Sequence, residues 1–265
     1  MTQNGMLSNI TINYNGKQLK SSTKFRKGNN KLIVFIHGLG CSKESFEDVW
    51  YSSNFKNYSI LTFDLIGFGN SSKPHDFSYT IEEQAEICKL LLDKFQYPTI
   101  HIVAHSMGGA VGLLLTEMIK DNLASFINVE GNLIGEDCGI SRRTAKISFE
   151  KFKNNMFNRL KFVAKSSDES DSKLWAKMLE TSDPLGFYKT SESLVEWSDS
   201  NKLLKIFHSL QLNKSYIYGD KNSQMNILDE LIDIKKISIS NSGHFVMNDN
   251  PSEFYQTIYK LLANR

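Results

Sequence analysis

Cysteines and long apolar runs are scarce in this sequence of 265 residues. The three cysteines, Cys41, Cys88 and Cys138, have no CxxC spacing and are odd in number, so neither a disulfide framework nor a zinc site is expected. No apolar run approaches the roughly 18 residues of a membrane-spanning helix. The first residues lack the basic and apolar regions of a signal peptide. These absences predict a soluble, reduced, cytoplasmic protein with no membrane span.

The sequence also has no large excess of charge of either sign, because its 31 Lys and Arg nearly balance its 29 Asp and Glu. This near balance argues against proteins that depend on bulk electrostatics, such as nucleic-acid coats and polybasic membrane binders. The lysines between Lys17 and Lys31 are better explained as the solvated face of an edge hairpin. The histidines show no metal-ligand spacing. The expected partner is a small molecule and not a nucleic acid, and the chain is expected to be a monomer or homodimer.

Short apolar runs alternate with helical patterns along most of the chain. Ile10, Ile12 and Tyr14 alternate with polar residues up to Asn15-Gly16, which predicts a hairpin. Six further runs predict buried strands: Leu32–Gly38, Ser59–Asp64, Ile100–Ser106, Phe126–Gly131, Ser215–Asp220 and Lys236–Ser240. Three stretches predict helices: a capping box at Thr80–Glu83 followed by Ile87, Leu90, Leu91 and Phe95, then Val111–Ile119, then Phe254–Leu262. This order predicts an α/β fold with a mostly parallel sheet flanked by helices.

The alternation stops between about residues 133 and 212. This stretch has no convincing strand but many large apolar residues at helical spacing, more than a disordered linker would carry. It is predicted to be a helical insertion, called here the cap segment (residues 133–212). Residues 1–132 and 213–265 are predicted to form the core.

Ser106 stands between a predicted strand and a predicted helix, in Ala104-His105-Ser106-Met107-Gly108. A serine at such a sharp turn is strained and needs small residues two positions away on either side, which Ala104 and Gly108 supply. The pattern is G-x-S-x-G with alanine in the first place, and its strand–turn–helix context makes Ser106 a candidate nucleophile. The alternative is a chance S-x-G in a structural turn.

Two further segments follow predicted strands and suit the same chemistry. The turn His37-Gly38-Leu39-Gly40 can offer the N–H of Leu39, together with the N–H of Met107, to a developing oxyanion. A dinucleotide loop is the weaker explanation of this turn, because the third glycine of that fingerprint is missing. After the last strand, His244 completes the order Ser, acid, His, which favours a catalytic base over a structural histidine.

Together these segments resemble the α/β-hydrolase superfamily. The resemblance rests on four motifs in order: HGLG at 37–40, DLIGFGNS at 64–71, AHSMGG at 104–109 and SGH at 242–244. It covers nearly the whole chain, and residues 133–212 fall where that family inserts a helical cap. It implies Ser106 as the nucleophile, His244 as the base, the N–H groups of Leu39 and Met107 as the oxyanion hole, and no cofactor.

The acid of the implied triad departs from the family's usual pattern. The family usually places it three residues after the glycine that ends a strand, here Gly219, and that position holds Asn222. Two carboxylates can compensate: Asp220 on the same loop, and Glu130 at the end of the preceding strand, which some members use. Glu130 is favoured because a buried glutamate is costly unless it is paired. Asp220 beside Lys221 is more typical of a solvated turn.

The sequence therefore predicts a carboxylesterase-like serine hydrolase that cleaves an ester or related acyl bond through an acyl-enzyme. The cap aromatics Trp175, Phe187 and Trp197 are candidates for an apolar acyl pocket, or else pack the cap. A dehalogenase is disfavoured because position 106 is serine and not aspartate. A cofactor-free peroxidase, a carbon–carbon hydrolase, a lactonase and a thioesterase stay open, because fold and triad do not fix the acyl group. A ligand-binding member of the fold that has lost turnover is the non-enzymatic alternative.

Overall fold

Eight strands form one sheet in a computed structural model that describes residues 5–263. The strands are β1 (Met6–Tyr14), β2 (Lys17–Arg26), β3 (Lys31–Ile36), β4 (Ser59–Phe63), β5 (Thr99–His105), β6 (Leu123–Val129), β7 (Asn213–Gly219) and β8 (Lys235–Ile239). Their order across the sheet is β1-β2-β4-β3-β5-β6-β7-β8. The antiparallel pairings are those of β1 with β2 and of β2 with β4, so the predicted mostly parallel sheet is confirmed.

The sequence signals for the strands have simple physical causes. Asn15 and Gly16 form the two-residue turn between β1 and β2, and both have the positive φ that this hairpin requires. In β3, Leu32, Val34 and Ile36 face one side of the sheet, while Ile33 and Phe35 face the other. Helices cover both sides, so every residue of the run is apolar.

Eleven α-helices lie in the described chain. They are α1 (Ile81–Leu92), α2 (Met107–Met118), α3 (Ile140–Ala145), α4 (Phe149–Lys151), α5 (Phe157–Lys165), α6 (Ser170–Glu180), α7 (Pro184–Asp199), α8 (Lys202–Ser209), α9 (Ile227–Glu230), α10 (Val246–Asp249) and α11 (Pro251–Ala263). Shorter 3₁₀ turns span Lys43–Trp50, Ser53–Phe55, Gly135–Asp137 and Asp220–Asn222, and a π turn at Phe152–Met156 joins α4 to α5. None of the described helices is long and apolar enough to cross a membrane.

The core helices form the outer layers of the fold. Thr80 caps α1 by accepting the N–H of Glu83, as its capping box predicts. The spacing predicts Phe95 on this helix, but Phe95 lies beyond the helix end at Leu92, packed against Phe25 of β2. Helices α1 and α2 pack together on one face of the sheet, and α11 covers the other.

The cap segment is helical, and in the described chain it contains no strand. Helices α3 to α8 all lie in it. An aromatic cluster of Phe152, Phe157, Phe187 and Tyr188 fills its interior. Its last helix, α8, packs instead against the core, where Phe207 contacts Phe126 of β6.

Candidate active site

Five neighbouring strands, β3, β5, β6, β7 and β8, end at the same edge of the sheet, and the predicted site residues follow their ends. His105 pairs with Val129 across β5 and β6, so Ser106 and Glu130 leave the sheet side by side. The N–H of Glu130 in turn donates to the carbonyl of Ile217 in β7. This edge, outside the carboxyl ends of parallel strands, is where ligands bind in open α/β sheets.

Ser106 occupies a strained turn between β5 and α2. Its φ of 54° and ψ of −127° lie in a region that residues other than glycine seldom adopt. The turn is held because the N–H of Ser106 donates to Val129 O at 3.0 Å and its carbonyl accepts the N–H of Gly109 at 2.8 Å. Gly108 is required here, since a Cβ at that position would lie 2.5 Å from the carbonyl oxygen of Ile36.

Glu130 is hydrogen-bonded to His244. Its Oε2 lies 2.8 Å from His244 Nδ1, and its side chain is 1% exposed. Three further bonds fix the carboxylate: Gly219 N–H donates to Oε1 at 2.8 Å, and Asn222 Nδ2 lies 2.9 Å from both oxygens. The backbone of Glu130 has a φ of 44°, which turns its side chain toward this cluster. Asn222, whose contact with Glu130 the sequence did not predict, therefore holds the carboxylate in place.

Asp220 lies elsewhere and does not contact His244. Its two oxygens accept the N–H groups of Asn241 and Ser242, at 2.9 and 3.0 Å. These bonds hold the pKa of the exposed Asp220 carboxyl below its ordinary value. Asp220 thus fastens the loop that leads to His244, while Glu130 contacts the imidazole itself.

His244 is accessible from the cavity, with 44% of its side chain exposed. Partial desolvation lowers its pKa, but the hydrogen bond and the charge of Glu130 outweigh that effect, so the pKa is raised above its ordinary value. Because a carboxylate faces Nδ1, that nitrogen carries the proton in the neutral ring, and Nε2 is left as the acceptor.

Two buried histidines that the sequence did not single out support the site. His105 Nε2 donates to the carbonyl of His244 at 2.9 Å. His37 Nε2 accepts the N–H of Leu65 at 3.0 Å, and its Nδ1 donates to Gly38 O at 2.9 Å. Burial lowers the pKa of both rings, so they stay neutral and act as fixed links. Their only sequence signal was their position within the HGLG and AHSMGG motifs.

The turn after β3 lies against Ser106. A Cβ at Gly38 would lie 3.0 Å from the Cβ of Ser106, so glycine permits the close approach. The N–H groups of Leu39 and Met107 donate to no acceptor within residues 5–263. Met107 is the first residue of α2, where the N–H has no partner inside the helix. Both donors are therefore available to an oxyanion.

A cavity of about 470 Å³ contains Ser106 and His244 and lies between the sheet edge and the cap segment. Trp175 lines it, and its Nε1 donates to Leu39 O at 3.1 Å. Phe187 does not reach the cavity, because it is fully buried among the cap aromatics. Trp197 also lies outside it, with Lys202 over its ring. Helical spacing alone could not tell which aromatic would face inward.

The charged lining of this cavity is acidic. Asp137 and Asp171 line the cavity, and no Lys or Arg of the described chain does. The uncharged Cys41 also lines it. Burial raises the pKa of Asp137 to about 6, although its Oδ2 accepts the N–H groups of Leu133 and Ile134. Burial also raises the pKa of the Cys41 thiol to about 12, so the thiol stays protonated. No group of three or more His, Cys, Asp or Glu within residues 5–263 is placed to hold a metal ion.

The family model described as "alpha/beta hydrolase fold" matches residues 31–251. Over 88 residues the chain is 39% identical to "Probable lysophospholipase BODYGUARD 2" of Arabidopsis thaliana, a match that covers 31% of this chain and 19% of that protein. The matched stretch spans about a fifth of the length of this relative and of two others that the chain matches. The structure is similar to a bromoperoxidase from Bacillus anthracis, with a TM-score of 0.78 at 18% identity over 97% of this chain and 100% of that one. It is also similar to an esterase from Exiguobacterium antarcticum, with a TM-score of 0.77 at 15% identity over 94% and 97% of the two chains.

Proposed function

We infer that this chain, which belongs to the alpha/beta hydrolase family, is a serine hydrolase that cleaves an ester or related acyl bond through an acyl-enzyme. The observation that carries this proposal is the 2.8 Å hydrogen bond between the buried Glu130 Oε2 and Nδ1 of His244, which lines the same cavity as Ser106. A base oriented by a buried carboxylate, next to a serine at a strained strand-to-helix turn, is the arrangement that nucleophilic acyl transfer requires.

The first half of the proposed reaction forms the acyl-enzyme. Ser106 Oγ attacks the carbonyl carbon of the substrate while His244 Nε2 accepts the hydroxyl proton. The negative charge that develops on the carbonyl oxygen is stabilised by the N–H groups of Leu39 and Met107, and losing one such donor typically costs about 10²–10³ in rate. The tetrahedral species then expels the alkoxide, which takes the proton from His244 and leaves as the alcohol.

The second half returns the enzyme to its starting state. A water molecule gives its proton to His244 and attacks the acyl carbon, and the same N–H donors again stabilise the oxyanion. The ester bond to Ser106 Oγ breaks, the oxygen recovers its proton from His244, and the carboxylic acid is released. Through both halves Glu130 keeps Nδ1 protonated and stabilises the imidazolium.

The cavity favours uncharged or cationic acyl compounds. Its volume of about 470 Å³ lies within the roughly 300–1,000 Å³ of small-molecule sites. An anionic substrate would meet Asp137 and Asp171, with no Lys or Arg of residues 5–263 in the lining. The matched relative named a probable lysophospholipase and the similar esterase structure are consistent with carboxylic ester chemistry, which we propose for this chain.

The test is hydrolysis of a p-nitrophenyl ester series from acetyl to octanoyl by the wild type and Ser106→Ala. We expect wild-type turnover with a preferred chain length, and its loss to background in Ser106→Ala. If no ester in the series releases nitrophenol, the ester-hydrolase proposal fails and a ligand-binding member of the fold becomes the better explanation. Turnover that survives Ser106→Ala would contradict the assigned nucleophile.

A further inference from the structure

Residues 142–165, one stretch of the cap segment, have a charge unlike that of the remaining chain. Between Arg142 and Lys165 there are eight Lys and Arg and a single acidic residue, Glu150. The rest of the chain therefore carries 23 of the 31 basic side chains and 28 of the 29 acidic ones. One short stretch is strongly basic, while the rest of the molecule is acidic.

Most of these cations are free. Five have exposed side chains that make no ion pair, hydrogen bond or aromatic-ring contact within residues 5–263; we call them the basic patch: Arg143, Lys146, Lys151, Arg159 and Lys165. Of the other three, Arg142 pairs with Asp199, Lys161 pairs with Glu180, and Lys153 lies over the ring of Phe149. Side chains that neutralise nothing within the fold are available to an anionic partner.

Two large apolar side chains protrude beside the basic patch. Phe162 and Val163 of α5 are 70% and 57% exposed. Arg159 precedes them by three and four residues, so all three share the outer face of the helix, while Phe157 and Ala164 are buried. Protruding aromatic and aliphatic side chains among Lys and Arg are typical of elements that lie in a membrane interface.

A groove on this face adjoins the catalytic cavity. It has a volume of about 650 Å³, and its apolar wall includes Met156, Leu160 and Val163. Three residues, Ile140, Ser172 and Trp175, line both the groove and the catalytic cavity. A single-chain amphiphile held at the outer face would thus lie against side chains that also line the cavity of Ser106.

We propose that the basic patch, with Phe162 and Val163, docks the protein on an anionic lipid surface. The patch binds the phosphate-bearing headgroups, and the two apolar side chains enter the boundary between headgroups and acyl chains. Each cation near an anionic leaflet contributes roughly fivefold in affinity, and buried apolar side chains add to this attraction. The docking is independent of the proposed hydrolysis, although it would present lipid-derived esters to the groove.

The experiment measures co-sedimentation of the full chain with vesicles of phosphatidylcholine alone and of phosphatidylcholine mixed equally with phosphatidylglycerol. We expect binding only to the mixed vesicles, weakening as salt is added. Replacing three patch cations together (Arg143→Gln, Arg159→Gln, Lys165→Gln) is expected to reduce the affinity by roughly a hundredfold. A separate double variant, Phe162→Ser with Val163→Ser, is expected to weaken vesicle binding as well. Its effect should be largest at high salt, where the electrostatic attraction is screened and the inserted apolar side chains contribute most of the affinity.

Control variants remove equal charge, and one exposed apolar side chain, elsewhere on the molecule. Lys27, Lys94 and Lys120 are exposed and lie outside the cap segment, and Ile232 is 69% exposed. Their change to Gln, and Ile232→Ser, should leave vesicle binding as in the wild type. Because sedimentation needs no turnover, Ser106→Ala should bind equally well, which separates this proposal from the hydrolase proposal. The docking proposal would be overturned if the wild type bound neutral and anionic vesicles equally well. It would also be overturned if the control variants lost as much affinity as the patch variants, or if the chain bound duplex RNA but no vesicle.

Discussion

Glu130 and Asn222 form a matched pair at the ends of two neighbouring strands. A carboxylate at one position accepts two bonds from the amide at the other, each 2.9 Å long. The amide adds a second hydrogen bond to each carboxylate oxygen, beside those from Gly219 and His244, which lowers the cost of burying the charge. Asn222 thus stands at the position where the family usually has its acid, and the neighbouring Glu130, to which it is hydrogen-bonded, supplies the carboxylate instead.

The first prediction concerns which carboxylate orients His244. Glu130→Gln should lower kcat/KM by about 10³–10⁴, because the imidazolium loses its compensating charge. Asp220→Asn is the matched control and should retain most activity, since its oxygen can still accept a backbone N–H. Steady-state ester hydrolysis measures both, and a larger loss in Asp220→Asn would reverse the assignment.

The second prediction uses the pair itself. In the double variant Glu130→Gln with Asn222→Asp, the carboxylate returns to the strand-end position that the family commonly uses, and the new amide at position 130 can donate back to it. We expect kcat/KM to recover by about tenfold or more over Glu130→Gln alone, as coupled neighbours do. No recovery, with the fold intact by circular dichroism, would mean that the two positions are not interchangeable.

The third prediction is a pH profile. His244 must be neutral to accept the proton of Ser106, so kcat/KM should fall as the pH drops through the raised pKa of this histidine. Glu130→Gln removes the interaction that raises this pKa and should move the acid limb to lower pH. Asp137, with its pKa of about 6, titrates in the same cavity, so Asp137→Asn is the control. If that variant alone abolished the limb, His244 would not be its source.

At the scale of elements, the site depends on how closely α2 passes the end of β3. Gly108→Ala would place a methyl group 2.5 Å from Ile36 O and 2.6 Å from His37 O. Alanine normally favours a helix interior, yet here we expect unfolding free energy to fall by about 3 kcal/mol through overpacking. A shift of the turn should also lower kcat/KM by about a hundredfold.

Gly139→Ala is the control for this prediction, because nothing lies within 4 Å of a Cβ there. Thermal unfolding should be unchanged in that variant, and only unfolding is compared because Gly139 lines the catalytic cavity. If Gly108→Ala were equally harmless, the turn at Ser106 would not require the close contact between α2 and β3.

Some features of the fold and the site could be predicted from residue types along the chain, and others could not. The buried strands were predictable, because β3 and its neighbours are apolar on both faces and stop at turn residues. Glu130 was predictable as well, since a carboxylate at the end of an apolar strand needs a partner. The different surroundings of Trp175, Phe187 and Trp197 were not, because all three occur at helical spacing and only the packing of the cap decides which one faces the cavity.

At the scale of the whole molecule, a net charge of +2 conceals an uneven distribution. The basic stretch and the acidic remainder nearly cancel in the sum, so composition alone argued against a polybasic surface. Folding places the five free cations of the basic patch on the cap segment, whereas the charged lining of the catalytic cavity is acidic. The two faces therefore suit different partners, which only the fold reveals.

The most direct test of the proposed hydrolase is covalent labelling with a fluorophosphonate, followed by mass spectrometry of the intact chain and its peptides. The reagent reacts with an activated serine, so it requires Ser106, His244 and the oxyanion donors to act together. We expect one adduct per chain, on the peptide that contains Ser106, none in Ser106→Ala and much slower labelling in Glu130→Gln. An unlabelled wild type, or an adduct that persists in Ser106→Ala, would contradict Ser106 as the nucleophile.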